Sequence, residues 1–209
     1  MFGKTKCTMI SIISLTIILS GWLLPADSQP EKEFAGEFAP GKFVSSEVCG
    51  ACHEAIYQMW KEHSIHSKAV TDSIFQAGLQ QAKKTHGETI GEVCLSCHSP
   101  TTTVTKDYSL KTGLSQEGIT CDFCHSIKEV QLEARKASKS PFTLDVGLVK
   151  RGPLADAKPK LHEVAYSELH TSSLLCAGCH EYTNEKDGHV LSTYTEWKEG
   201  PYPDQKFNC

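Results

Sequence analysis

The stretch CGACH at residues 49–53 sets the pattern for the whole chain, because it occurs in four versions. Each version has two cysteines separated by two residues, and a histidine directly after the second cysteine. The others are CLSCH at 94–98, CDFCH at 121–125 and CAGCH at 176–180. The four motifs hold eight of the ten cysteines. This spacing is the attachment signature of c-type haem.

The spacing has a chemical reason. Two cysteines three positions apart on a helical turn face the same side, where they can form thioethers with the two vinyl groups of one haem, and the next residue then lies under the iron. A zinc ribbon, a dithiol or a disulfide would not require that histidine. The predicted attachment residues are Cys49, Cys52, Cys94, Cys97, Cys121, Cys124, Cys176 and Cys179, and the predicted proximal ligands are His53, His98, His125 and His180.

Iron in a low-spin electron carrier takes a second strong axial ligand. Six histidines remain outside the motifs, so four irons and six imidazoles predict mostly bis-histidine ligation. Leu, Ile and Val are scarce after the first 25 positions, which predicts a thin aliphatic core. We therefore expect a core filled largely by porphyrin.

The chain between the motifs predicts a few local structures. A helix capped by Ser45 or Ser46 carries the first motif, and a second helix, capped by Thr71 or Asp72, follows it. The second helix would pack Ile74, Phe75 and Leu79 on a haem face. Residues 101–120 are predicted to be strand or loop. Residues 127–160 are interpreted as a solvated loop with a short hairpin, in preference to a partner-docking surface.

The first residues predict export. Two lysines, a long apolar run and the small residues after Pro25 are typical of a cleaved signal peptide over 1–28, with an uncleaved membrane anchor as the alternative. A linker at 29–42 and a cytochrome domain at 43–209 would follow. The net charge is −4, and no basic stripe is present, so nucleic acid is excluded as a partner. We expect a periplasmic or otherwise extracytoplasmic protein.

Four stretches together resemble the multihaem cytochromes c related to the tetrahaem electron acceptor of hydroxylamine oxidoreductase. They are MWKEHSIHSKA at 59–69, CDFCHSI preceded by EGIT at 117–127, the segment 152–184 around CAGCH, and STYTEWKEGPY at 192–202. The resemblance covers most of the chain from about residue 43. It implies a mainly α fold with long loops, little sheet and closely packed haems.

The resemblance also implies distal ligands. His66 matches a distal histidine that crosses to another haem, expected to be the fourth, and His162 and His170 match histidines before the last motif. His63 is a weaker match, and His86 and His189 are expected to be solvated. One haem of the tetrahaem relative has no distal ligand, and the haem of CLSCH is the candidate here. The long segment after His125 departs from that relative and leaves the pairing there open.

In these relatives, the segment that resembles STYTEWKEGPY is followed by a further haem motif. Cys209, the last residue, is therefore expected to begin a fifth motif, which makes this sequence a fragment of a longer protein. The alternative is a true terminus with an unpaired thiol, which is a liability in an oxidising compartment.

These patterns leave three functions open. The expected one is an electron carrier that exchanges electrons with redox proteins through closely packed haems. The second is the N-terminal part of a multihaem oxidoreductase acting on hydroxylamine, nitrite or a similar small substrate, which requires an iron with an open side. The third is a subunit of a cytochrome filament.

The four motifs predict four covalently bound haems per chain. Protein produced together with a haem-attachment system should give four haems both by pyridine haemochrome absorbance and by intact mass. A mass without haem, or zinc in its place, would contradict the prediction.

Overall fold

The motifs lie on short helices in the computed structural model, which describes residues 36–136, 140–184, 186–205 and 207–208. The predicted signal peptide at 1–28 and Cys209 lie outside the described residues. In the described ranges, no helix has the length and apolar character needed to cross a membrane.

The described residues are mainly helical with little sheet, which confirms the predicted fold class. Single turns of π-helix at Met59–His63 and of 3₁₀-helix at His66–Lys68 and Glu168–Thr171 separate longer elements. The α-helices are α1 (Ser46–Gly50), α2 (Glu54–Gln58), α3 (Ser73–His86), α4 (Ile90–His98), α5 (Thr102–Thr105), α6 (Gly113–Gln116), α7 (Cys121–Ser126), α8 (Glu133–Lys136), α9 (Leu174–His180) and α10 (Thr193–Glu199).

Side-chain hydrogen bonds cap the N-termini of helices α1 and α3. The Ser45 side chain accepts a hydrogen bond from the Glu47 amide, and Asp72 accepts from the amides of Ile74 and Phe75, so two predicted caps are confirmed. The first helix is shorter than predicted. It ends inside its motif, because His53 has non-helical dihedral angles (φ −101°, ψ 45°) and α2 starts after it.

Residues 101–120 differ from the predicted strand or loop, since α5 and α6 lie there. Asp107 accepts hydrogen bonds from the amides of Lys111 and Thr112, and the Thr112 hydroxyl accepts from the amide of Ser115. These local side-chain bonds satisfy the backbone within single turns, so the segment forms short helices without a ladder to another strand.

The described strands form two-stranded pairs. The strands are β1 (Ile127–Val130), β2 (Phe142–Leu144), β3 (Val149–Gly152), β4 (Glu163–Tyr166), β5 (Glu181–Thr183) and β6 (His189–Ser192). The β1–β2 and β5–β6 pairs are antiparallel and the β3–β4 pair is parallel. The β1–β2 pair is the hairpin expected within residues 127–160.

The interpretation of residues 127–160 as a solvated loop is wrong for strand β3. Lys150 is only 8% exposed, and its ammonium group donates to the carboxylate of Asp122 in α7 and to the carbonyl of Gly147. The other Asp122 oxygen accepts from the Val44 amide at 2.8 Å. A buried ion pair therefore holds β3 and the N-terminal segment against the third motif.

The hydrophobic core is small. Phe43, Phe123 and Ile127 form its centre, beside the third motif. Many large apolar side chains elsewhere in the described ranges are exposed, among them Met59 at 67% and Ile74 at 82%, although Leu79 and Leu95 are buried. The aliphatic core is as thin as composition predicts.

Removing the ammonium group of Lys150 should strongly destabilise the fold, because Asp122 would remain buried without its counter-charge. Lys150→Met is expected to lower the free energy of unfolding by about 3–5 kcal/mol. Guanidinium unfolding of the haem-loaded protein, followed by circular dichroism, measures this change.

Lys42→Met is the matched control, because Lys42 has a 60% exposed side chain and a surface ion pair with Glu37. It should change stability by no more than about 0.5 kcal/mol. Equal midpoints for the two variants would show that the buried pair does not hold β3 in place.

Candidate haem sites

Two motif histidines are held in place by main-chain carbonyls from distant segments. Nδ1 of His98 lies 2.8 Å from the Ala69 oxygen, and Nδ1 of His125 lies 2.5 Å from the Arg151 oxygen. A carbonyl can only accept, so each Nδ1 carries the proton and Nε2 is the nitrogen left to bind a metal. Such a bond fixes the tautomer and the ring orientation of a metal-binding histidine.

The structure brings three motif histidines next to histidines from outside the motifs. All six residues are among the predicted ligands, and the partners in each pair come from segments far apart in sequence. The pairs, with ring-centroid distances and interplanar angles, are His53–His162 (6.5 Å, 37°), His66–His180 (6.2 Å, 57°) and His125–His170 (5.8 Å, 13°).

This spacing fits two imidazoles on opposite sides of one metal ion. A metal–imidazole bond is about 2.0 Å long and the ring centre lies roughly 1.2 Å behind the nitrogen, so trans imidazoles have centroids about 6.4 Å apart. The three observed distances lie within 0.6 Å of that value. Interplanar angles vary freely in such pairs, because each ring can rotate about the bond to the metal. The residues present therefore fit axial ligation of haem iron.

Partial desolvation favours the neutral, metal-binding form of two of the outer histidines. Desolvation, and then the nearby His180, lower the pKa of His66. Desolvation is also the largest cause lowering the pKa of His170, and the neighbouring His125 and Arg151 act in the same direction. Neutral imidazole is the metal-binding species, so both residues favour ligation over protonation.

His170 has one nitrogen engaged and one available. Its Nε2 donates to the Cys124 carbonyl at 3.0 Å, whereas its Nδ1 is buried and has no hydrogen-bond partner in the part of the chain that the structure describes. A buried nitrogen with a lone pair and no partner is costly unless something occupies it. Nδ1 is thus the atom of His170 that can accept a metal.

The segment before the third motif anchors His66. The Ile119 amide donates to the His66 carbonyl at 3.0 Å, and the Trp60 indole donates to the Ile119 carbonyl at 2.9 Å. Gly118 allows this close approach: its φ is +75°, and a Cβ there would collide with the His66 oxygen. The segment before the third motif therefore positions His66, whose ring faces His180 of the fourth motif.

The second motif differs from the other three. In the described ranges, no histidine ring lies beside His98. Phe75 of α3 stacks on its imidazole instead, with centroids 4.0 Å apart and planes 19° apart. Phe75 was expected to pack on a haem face, whereas the structure places it against the proximal ring.

Cysteines of different motifs also meet. The side chains of Cys49 and Cys121 are hydrogen-bonded to each other, and this bond is the main cause lowering the pKa of Cys121 to about 7. Burial is the largest cause raising the pKa of Cys124 to about 12, and the nearby Cys121 and Cys176 add to it. The first, third and fourth attachment sites are thus contiguous.

The remaining histidines lie at the surface. His63 has a side chain 75% exposed and lies 3.8 Å from the carboxylate of Glu62. His86 and His189 are also exposed, as expected for solvated residues. In the described part of the chain, no three metal-binding side chains converge to form a cluster.

Several site features had no sequence signal. The carbonyls of Ala69 and Arg151 act through the main chain, which carries no side-chain signature. The contact between Cys49 and Cys121 joins residues more than 70 positions apart, and nothing in either motif specifies its neighbour.

Part of the chain matches a known protein family. Residues 48–126 match the family model described as cytochrome c554 and c-prime. That range contains the first three motifs and His66. No match was found among curated proteins.

Among solved structures, the chain is similar to a penta-heme cytochrome c552 from Thermochromatium tepidum, with a TM-score of 0.62 and 23% sequence identity. The alignment covers 76% of this chain and 51% of that one, so this chain spans about half the length of the structure that it matches. At this identity the likeness shows the fold. Together with the family match, it supports a multihaem cytochrome c with covalently bound haem c.

His66→Ala should convert one haem from low-spin to high-spin without loss of covalent haem, because the imidazole facing His180 is removed while all motif cysteines remain. Electron paramagnetic resonance measures the spin state, and pyridine haemochrome measures haem content. His63→Ala, three residues away on an exposed position, should leave the spectrum unchanged. Identical spectra for both variants would exclude His66 as a ligand.

Proposed function

We propose that this multihaem c-type cytochrome carries electrons between redox proteins through four haems, of which three have two histidine ligands. The observation that carries the proposal is the set of three histidine pairs at 5.8–6.5 Å. When bound, haem c supplies one-electron chemistry, in which iron alternates between the ferric and ferrous states. The chain's own residues decide what else can happen at each iron.

The histidine pairs restrict the chemistry to electron transfer. His53 with His162, His66 with His180 and His125 with His170 would each occupy both axial positions, which leaves no coordination site for a substrate. The lowered pKa values of His66 and His170 keep those rings ligated and unprotonated. Fixed ligands also keep the geometry the same in both oxidation states, which favours rapid electron exchange.

Contacts between motifs support a route through the protein. The thiols of Cys49 and Cys121 are hydrogen-bonded, and Cys124 lies near enough to Cys176 to be affected by its charge. The first, third and fourth attachment sites are thus contiguous, so an electron arriving at one has a neighbour to move to. The second site joins this group through His98, whose Nδ1 is bonded to the segment that follows His66.

Export and partners belong to the same proposal. The lysines, apolar run and small residues of 1–28 support delivery to the periplasm, where c-type haem is attached. Redox proteins are the proposed partners, since an electron carrier without a substrate site needs a donor and an acceptor.

The second site supports a different candidate function. His98 has Phe75 beside it and no histidine in the described ranges, so the iron held there would have one protein ligand. An open iron can bind a small molecule, as a multihaem oxidoreductase for hydroxylamine or nitrite requires. This candidate rests on the second site alone.

Spin-state counting tests both candidates. The oxidised protein should show three low-spin haems and one high-spin haem by electron paramagnetic resonance, and cyanide should convert only the high-spin signal. The transfer function predicts that cyanide leaves reduction of the three low-spin haems intact. Four low-spin haems would exclude the oxidoreductase candidate at this site, and two or more high-spin haems would contradict the paired-histidine proposal.

Turnover then separates the two functions. If hydroxylamine or nitrite is consumed at a rate that cyanide abolishes, the second site is catalytic. If neither is consumed while electrons pass to a c-type acceptor protein, the chain is a carrier.

A further inference from the structure

Arg151 lies on strand β3 directly beside the histidine pair of the third motif. Along the strand, Lys150 points to Asp122, and the next side chain points the opposite way. The Arg151 carbonyl accepts the hydrogen bond of His125. The ring of His125 lies 5.8 Å from the ring of His170, the other member of the pair. Arg151 thus contacts one member of the pair directly.

Only one of the two terminal nitrogens of the Arg151 guanidinium has a hydrogen-bond partner in the described ranges. Its Nη2 donates to Asp145 at 2.6 Å, and the side chain is 12% exposed. Nη1 is buried and has no hydrogen-bond partner in the ranges that the structure describes. An arginine side chain always carries its charge and presents donors in a rigid fork that suits a carboxylate. A buried donor of this kind is costly to leave without an acceptor, and a carboxylate is among the strongest acceptors that it can bind.

We propose that Nη1 of Arg151 binds a carboxylate, namely a propionate of the haem held by His125 and His170, and that Arg151 thereby sets the reduction potential of that haem. The inference rests on the proposed function in one respect, that this pair holds a haem. Haem is the carboxylate-bearing group that this pair of histidines would bring to the place where Nη1 lies.

The charges near the pair fix the sign of the effect. A reduced haem carries one positive charge fewer than an oxidised one, so a nearby cation favours reduction and raises the potential. Asp145 offsets part of the Arg151 charge, but its side chain is 52% exposed and so is screened by water. The net influence of Arg151 on this haem is therefore positive.

The test is a potentiometric titration of the haem-loaded protein, followed by electron paramagnetic resonance. Arg151→Gln removes the cation and leaves the propionate unpaired, yet keeps the residue 151 carbonyl that holds His125. The equilibrium constant for reduction of this haem should fall about tenfold, which lowers its potential by about 59 mV for one electron. Lys84→Gln, which removes a charge from an exposed position on α3, is the matched control and should leave it unchanged.

A second variant changes the potential in the opposite direction. Asp145→Asn removes the partial counter-charge and should raise the potential of the same haem. This variant also keeps the proposal testable if Arg151→Gln does not accumulate. A potential that neither variant moves, or that Asp145→Asn lowers, would overturn the proposal.

A free anion such as acetate could also supply the carboxylate. One further titration distinguishes it from a haem propionate. The unsubstituted protein is titrated at low and high acetate, with ionic strength held constant. A constant potential supports a propionate, which is part of the haem. A potential that falls with acetate and stays constant in Arg151→Gln would assign Nη1 to a free anion and refute the propionate.

His170→Ala identifies which resonance belongs to this haem, because that signal alone should become high-spin. If His170→Ala changes no signal, the paired-histidine proposal fails for this site. If it changes a signal whose potential Arg151→Gln does not move, only the role of Arg151 is refuted.

Discussion

Two imidazoles that share one metal ion must approach to about 6.4 Å between ring centres and still come from separate parts of the chain. The arrangement of the described residues follows from meeting that constraint at three places. His66 must reach His180, so the first third of the chain packs against the last. His162 must reach His53, so strand β4 begins beside the first motif. Under the proposed ligation, haem would replace the long-range packing that a larger aliphatic core would otherwise provide.

This constraint explains why short, irregular elements suffice. Helices of five to nine residues carry the motifs, and isolated helices of that length are not stable in water. Their ends are held by side-chain caps such as Thr120, which accepts from the Phe123 amide, and by the buried pair of Asp122 with Lys150. The strands are pairs that brace these helices. Under the proposed ligation, covalent and coordinate attachment of haem would order a chain that has so few buried apolar residues.

The sequence predicts the local part of this arrangement well. The attachment cysteines, the proximal histidines and the caps at Ser45 and Asp72 are each defined by side chains within a few residues of one another. The choice of partner for His66 came from a family resemblance, since spacing alone does not say which iron a distant imidazole reaches. The assignment of these histidines as ligands stays a prediction, supported by their spacing.

The errors have a common physical origin. Residues 127–160 look solvated because they are charged and rich in turn-forming residues. Lys150 is nevertheless buried in an ion pair with a carboxylate 28 positions away, and the Arg151 carbonyl accepts a hydrogen bond from His125. Residues 101–120 were predicted to be strand or loop, but the side-chain oxygens of Asp107 and Thr112 accept from backbone amides within single turns. In both cases hydrogen bonds between side chains and the main chain decided the structure, and the main-chain groups are identical in every residue.

The contact between Cys49 and Cys121 has a consequence for how the protein must be assembled. Two thiols held this close, with the pKa of one lowered to about 7, are well placed to oxidise to a disulfide in an oxidising compartment. That product would consume one attachment sulfur from each of two motifs. Haem attachment would prevent this disulfide, because the sulfurs of Cys49 and Cys121 would then be held in thioethers.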